Sequence, residues 1–186
     1  MKIKNSNLKQ LICYSLFSIC ISCNFIFAQE SGNNTKWLSF EQSNFLIQYP
    51  SNWELNNSGQ MGTTFIVFSP LENEKDQFKE NVNLIIQDVS AYNIDLDQYT
   101  EISEGQIKKM VTNSSLISSE RIKTTKKEYH KLLYTGDQGV LHLKFEQYYW
   151  LINDKAYVLT FTTEQAKYID FVMVGEKILN SFKIID

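Results

Sequence analysis

The sequence predicts an α+β domain in which an antiparallel sheet and two helices share one core. Three observations carry that expectation. Short runs of alternating apolar residues are punctuated by turn residues, two segments repeat apolar residues at helical spacing, and the connections in the second half have hairpin chemistry.

Trp37 to Phe40, Phe45 to Tyr49, Thr63 to Phe68 and Val82 to Val89 are the first strand candidates. In the second run Phe45, Ile47 and Tyr49 alternate with Leu46 and Gln48, and Pro50 stops the pairing because it has no amide hydrogen to donate. Ser69 to Asn81 is a long polar connection carrying Glu72, Glu74, Asp76 and Glu80, and solvated acidic side chains are expected there. Asp95 is placed to cap a helix running to about Thr112. Its carboxylate accepts from first-turn amides while Gln98 reaches back, and Leu96, Tyr99, Ile102 or Ser103, Ile107, Met110 and Val111 form the stripe. Four strands follow: Leu116 to Thr124, Glu128 to Thr135, Val140 to Ile152 and Ala156 to Thr162. Gly136-Asp137-Gln138-Gly139 and Asn153-Asp154 join them, residue types that tolerate positive φ. A second helix starts near Thr162 or Thr163 and runs to about Phe182. Ile169, Val172, Met173, Leu179 and Phe182 share one face of it, and Gly175 interrupts its propensity.

Before this domain, residues 1–28 read as a secretory signal peptide. Lys2, Lys4 and Lys9 precede an uncharged apolar run from Leu11 to Phe27, which closes on Ala28 ahead of the polar Gln29-Glu30-Ser31. Cleavage after Ala28 leaves a flexible leader, residues 29–36, and a globular domain, residues 37–186, in an extracytoplasmic location, periplasmic or secreted. The alternative is a lipoprotein anchored at Cys23, since the small Ser22 precedes that cysteine. Cys20 occupies the place where a leucine-like residue is usual, and residues 24–27 remain apolar, which favours cleavage at Ala28. Cys13, Cys20 and Cys23 all leave with the signal, so the exported domain has neither thiol nor disulfide. Loss of three lysines also takes the formal charge from −3 to −6. An acidic domain without a basic stripe is no nucleic-acid binder, because that affinity rests on neutralising phosphates. Lys123, Lys126 and Lys127 make the one short basic run, read as a solvated strand end.

Phe45-Leu46-Ile47-Gln48-Tyr49-Pro50-Ser51-Asn52-Trp53 resembles the entry motif of the PsbP-like family, which includes DcrB-type exported proteins of bacteria. Asn81-Val82-Asn83-Leu84 is similar to the family's strand after the central loop. Tyr157-Val158-Leu159-Thr160-Phe161-Thr162, followed by a helix ending Ile178-Leu179-Asn180-Ser181-Phe182, is similar to its closing strand and helix. The resemblance spans Trp37 to Ile184. It implies a single antiparallel sheet sandwiched between helices, an α/β/α arrangement that agrees with the element count, and it implies no shared catalytic residues.

Chemistry is harder to place. If Asp137 and Gln138 form the tip of their hairpin, His130 lies opposite Phe145 and His142 opposite Leu133, so the two imidazoles point to opposite faces of the sheet; a bulge would reverse this. No metal or other cofactor is expected. No serine sits in a nucleophile elbow, and Glu101 and Glu104 read as a solvated pair on the first helix. In the third hairpin strand, Leu141, Leu143, Phe145, Tyr149 and Leu151 form a core face. The opposite face, His142, Lys144, Glu146, Tyr148 and Trp150, begins polar and turns aromatic, as where a strand passes beneath a helix. The resulting expectation is a non-enzymatic accessory or interaction domain that binds another envelope component, with Glu72, Glu74, Asp76 and Trp150 as candidate partner contacts. A small-molecule module with a pocket between sheet and helix is the alternative reading.

Overall fold

A computed structural model describes residues 35–125 and 128–185. The segment read as a signal peptide, with Cys23, most of the expected leader, and Lys126 and Lys127 lie outside the described residues. In chain order the elements are β1 (Trp37–Gln42), β2 (Phe45–Pro50), β3 (Glu54–Asn56), β4 (Phe65–Phe68), β5 (Asn81–Asp88), α1 (Leu96–Met110), β6 (Thr112–Lys123), β7 (Glu128–Gln138), β8 (Leu141–Ile152), β9 (Lys155–Glu164), α2 (Tyr168–Ser181) and β10 (Lys183–Ile184). They form a mixed α+β domain whose strand pairs are antiparallel.

The expectation of a single sheet is corrected. A seven-stranded sheet runs in the order β3-β4-β5-β9-β8-β7-β6, and a separate three-stranded sheet runs β1-β2-β10. The reason lies in β2, which pairs with β1 on one edge and β10 on the other while its alternating Phe45, Ile47 and Tyr49 turn into the core. A strand whose apolar face already packs against the large sheet cannot also hydrogen-bond into it. The three-stranded sheet and α2 therefore cover one face of the large sheet, and α1 covers the other.

Each face of the large sheet has its own core. Tyr148 and Trp150 of β8 join Phe45, Ile47, Leu84, Phe161 and Leu179 on the α2 side, while Leu143, Phe145 and Tyr149 join Tyr99, Ile107 and Tyr134 on the α1 side. The period-two alternation along β8 thus feeds both layers, as its sequence predicts. At α1 the capping box forms as expected. The Gln98 amide donates to Asp95 Oδ1 at 2.8 Å, and Gln98 Oε1 accepts from the Asp95 amide at 3.0 Å.

The second helix is displaced from its expected start. Its α-helical part begins at Tyr168, after β9 has continued to Glu164 and a single 3₁₀ turn has intervened. Its buried face is also different. Gly175, Ile178 and Leu179 are buried, whereas Ile169 and Met173 are 78% and 82% exposed. Gly175 explains the rotation: a Cβ there would stand 2.5 Å from the Phe161 ring, so the helix turns its one side-chain-free position to β9 to approach closely.

Candidate functional site

Alongside the free edge of the large sheet lies a half-open cleft of about 540 Å³, lined by Glu101, Glu104, Gly105 and Lys108 of α1 and by Ser114, Ser115 and Leu116 of β6. The cleft exists because α1 passes directly into β6 at a sharp corner. Val111 is already extended, Asn113 adopts a φ of 50°, and the two elements then diverge. Gly136 on β7 accommodates this corner, since a Cβ there would lie 2.2 Å from Val111 Cγ1. Register shifts between Thr112 and Ser115 and between Leu116 and Ser118 mark irregularities of the kind that bend a strand locally. Met110, Leu116 and Ile117 are left about half exposed near this corner.

Deeper along the same elements, Glu104, Ser119 and His130 form a chain. Ser119 Oγ is 2.7 Å from His130 Nε2, and the Ser119 hydroxyl donates to Glu104 Oε1. The glutamate expected to be solvated is therefore tied to the sheet. A hydroxyl has one proton, so once it is given to Glu104 the Ser119 oxygen accepts from His130 Nε2–H. That tautomer leaves Nδ1 as a bare acceptor, buried without a hydrogen-bond partner among the described residues. In that arrangement the histidine carries its proton on the nitrogen that faces serine and is not poised to withdraw the serine proton. His130 is 8% exposed, and burial holds its pKa below the ordinary value.

The hairpin between β7 and β8 turns at Gly139 and Val140, so His130 lies opposite Tyr149 and His142 opposite Asp137. The expected pairing was four residues out of register, yet an even slip preserves parity, and the two imidazoles do face opposite sides. His142 is exposed, with Nδ1 2.7 Å from Asp137 Oδ1, while Asn113 holds the other carboxylate oxygen at 2.6 Å. Among the described residues no group of His, Cys, Asp and Glu side chains is placed to hold a metal ion, and no helix is long and apolar enough to cross a membrane.

The acidic connection between β4 and β5 is organised rather than simply solvated. Lys167 Nζ lies 2.8 Å from Glu72, 2.9 Å from Asp76 and 3.1 Å from Glu164. Asp76, whose side chain is 1% exposed, also accepts from the amides of Glu72 and Phe78. Burial opposes its charge, but those amides and Lys167 outweigh it and hold its pKa below the usual carboxylate value. Asp76 thereby serves as an internal anchor of the loop. Glu72 is partly committed to the same lysine, and Glu74 is exposed. Glu80, fully buried against Ser69 and Thr163, has its pKa raised by burial.

Trp150 belongs to the core on the α2 side. It is 7% exposed and packs between Tyr129 at 5.5 Å and Phe182 at 5.1 Å, so it has little surface to offer a partner. Beside it, Glu146 is fully buried and satisfied by Lys131 at 2.6 Å and by the hydroxyls of Tyr148 and Tyr168. The cleft itself was missed from sequence. Its one legible signal was the apolar pair Leu116-Ile117, which a strictly alternating strand cannot bury on a single face.

No family model matches the chain, and no curated protein matches it by sequence. Solved structures do match in fold. LpqN of Mycobacterium tuberculosis, described as involved in cell envelope biogenesis, aligns with a TM-score of 0.59 at 10% identity over 83% of this chain and 93% of its own. Cyanobacterial PsbP from Synechocystis aligns at 0.57 and 13% identity, over 86% of this chain and 99% of that one. A protein of unknown function from Pseudomonas aeruginosa aligns at 0.56 and 13% identity, over 78% and 94% respectively. The chain therefore shares the fold of PsbP, which agrees in architecture with the resemblance carried by its strand and helix motifs.

Proposed function

We propose that the protein is an exported, non-catalytic accessory domain of the cell envelope, akin to the DcrB-type PsbP-like proteins, whose work is to bind another envelope protein. The observation that carries this reading is the half-open cleft at the sheet edge with half-exposed Met110, Leu116 and Ile117 beside it. Exposed apolar side chains grouped beside a concavity mark contact surfaces. The Glu104–Ser119–His130 chain supports the non-catalytic reading, because its serine proton is already committed. The cleft is half open and, among the described residues, lined by no aromatic side chain, which weighs against a small-molecule module, whose ligand is largely enclosed. The candidate surface moves accordingly from Trp150 and the acidic loop to the α1–β6 corner, with Glu74 retained as an exposed position of that loop.

Affinity capture from the native envelope after crosslinking tests this. The doubly substituted Leu116→Asp, Ile117→Asp protein should keep its melting temperature and lose an envelope protein that the wild type retains. An identical capture profile from both would overturn the assignment of the surface.

A further inference from the structure

We infer that the α1–β6 edge takes an extended, basic segment of a partner protein, which adds to the large sheet as an eighth strand along Ser118 to Lys123. This deepens, and rests on, the accessory-binding reading. β6 is one of the two outermost strands and among the described residues pairs only with β7, so its far side presents backbone donors and acceptors. Such an edge specifies its occupant: a strand satisfies it, whereas a helix or a compact ligand does not. Between Ser118 and Lys123 the pairing to β7 is regular, six residues or about 20 Å of template. The two irregularities upstream stop the template at Ser118, and the cleft opens there. At Gly105 the helix wall leaves open space, since a Cβ built there would meet no atom within 4 Å.

Charge selects among strands. Arg121 is bonded to Asp97 at 2.7 Å and to Glu128 at 3.1 Å, and Lys123 leans on the same Glu128. Glu120 and Glu101 make no ion pair among the described residues. They flank the edge on opposite sides: Glu120 lies opposite Lys131, on the face away from α1, and Glu101 stands on the α1 wall of the cleft. Among the described residues Lys108 is the one cation lining that wall. An incoming strand with lysine or arginine beside Glu120 and apolar residues near Leu116 and Ile117 meets both requirements, and the acidic net charge of the chain steers such a segment inward.

The test uses a nine-residue peptide of alternating lysine and valine, titrated against the isotopically labelled protein while amide exchange is followed residue by residue. Alternate amides between Ser118 and Lys123 should slow at least tenfold. The same peptide methylated on alternate backbone nitrogens should give no protection. Glu120→Lys, with an unchanged melting temperature, should weaken the peptide at least tenfold and transfer the preference to an alternating glutamate and valine peptide. Protection elsewhere, indifference to methylation, or no protection at millimolar peptide overturns the inference. So does protection of these amides that grows with protein concentration alone, which assigns the edge to a second copy of the chain. Envelope capture that Glu120→Lys leaves intact removes the strand while sparing the accessory reading; no reproducible envelope partner for the wild type removes that reading itself.

Discussion

Lys167 Nζ sits 2.9 Å from Asp76 Oδ1, joining the turn before α2 to a loop about 90 residues earlier in the chain. Because Asp76 is almost wholly buried and Glu72 is not, the two carboxylates on this lysine differ in what they hold. Lys167→Met should cost about 3 kcal/mol, since removing one partner of a buried pair strands the other charge. Glu72→Gln should cost less than about 1 kcal/mol, as for exposed pairs screened by water. Urea unfolding of the two variants separates the cases, and equal losses would contradict the burial contrast.

The aromatic end of β8 makes a second prediction. Trp150→Ala should destabilise the domain by about 3–5 kcal/mol, because the ring fills a space bounded by Tyr129, Tyr148 and Phe182. Ile169→Ser and Met173→Ser should each fall within about 0.5 kcal/mol, the range for exposed positions. A large loss at Met173 would restore the helix face expected from sequence.

Gly175 opposes two effects of known size. Alanine is favoured over glycine inside a helix by about 1 kcal/mol. Against this, the added methyl would overlap the Phe161 ring, whose position is fixed by a fully buried core, and overpacking of this kind costs about 1–3 kcal/mol. Gly175→Ala should therefore lower stability by about 1 kcal/mol in equilibrium unfolding, and a gain would show that α2 can lift from β9.

His130 gives a pH dependence with a definite sign. Its pKa is ordinary, 6.5, when unfolded and lower when folded, because burial disfavours the imidazolium more than Glu104 and Asp97 support it, and Arg121 adds repulsion. The unfolded chain then binds the proton first, so this contribution is complete above pH 6.5 and is lost as pH falls toward the folded value. Glu80 acts oppositely: its raised pKa favours the folded state as acid neutralises it. His130→Gln should flatten the loss of stability between pH 7 and 5.5, by up to about 1.4 kcal/mol per pH unit. An unchanged slope would contradict a buried, neutral His130.

The fold was largely legible because its signals are local. The Asp95–Gln98 box, the Asn153-Asp154 turn with both φ values positive, and the two-faced pattern of β8 each follow from residues close in sequence. Separation of β1, β2 and β10 into their own sheet was not legible, since it depends on which strands remain available after both faces of the large sheet are filled. The hairpin register slipped because Gly136 reads as a turn residue, whereas it serves close packing against Val111, leaving Gly139 to turn the chain at a φ of 59°. The acidic loop misled for a related reason: nothing near Asp76 in sequence announces Lys167. The cleft was hidden because it is a relation between α1 and the bulged start of β6, and bulges leave no fixed residue signature.

The most direct test of the account places a photoreactive side chain at Leu116, and separately at Glu74, in cells carrying the protein. The account predicts a discrete crosslink from position 116 to one envelope protein, mapped to an extended basic segment, and none from position 74. A crosslink from position 74 alone, or the same adducts from both, would contradict it.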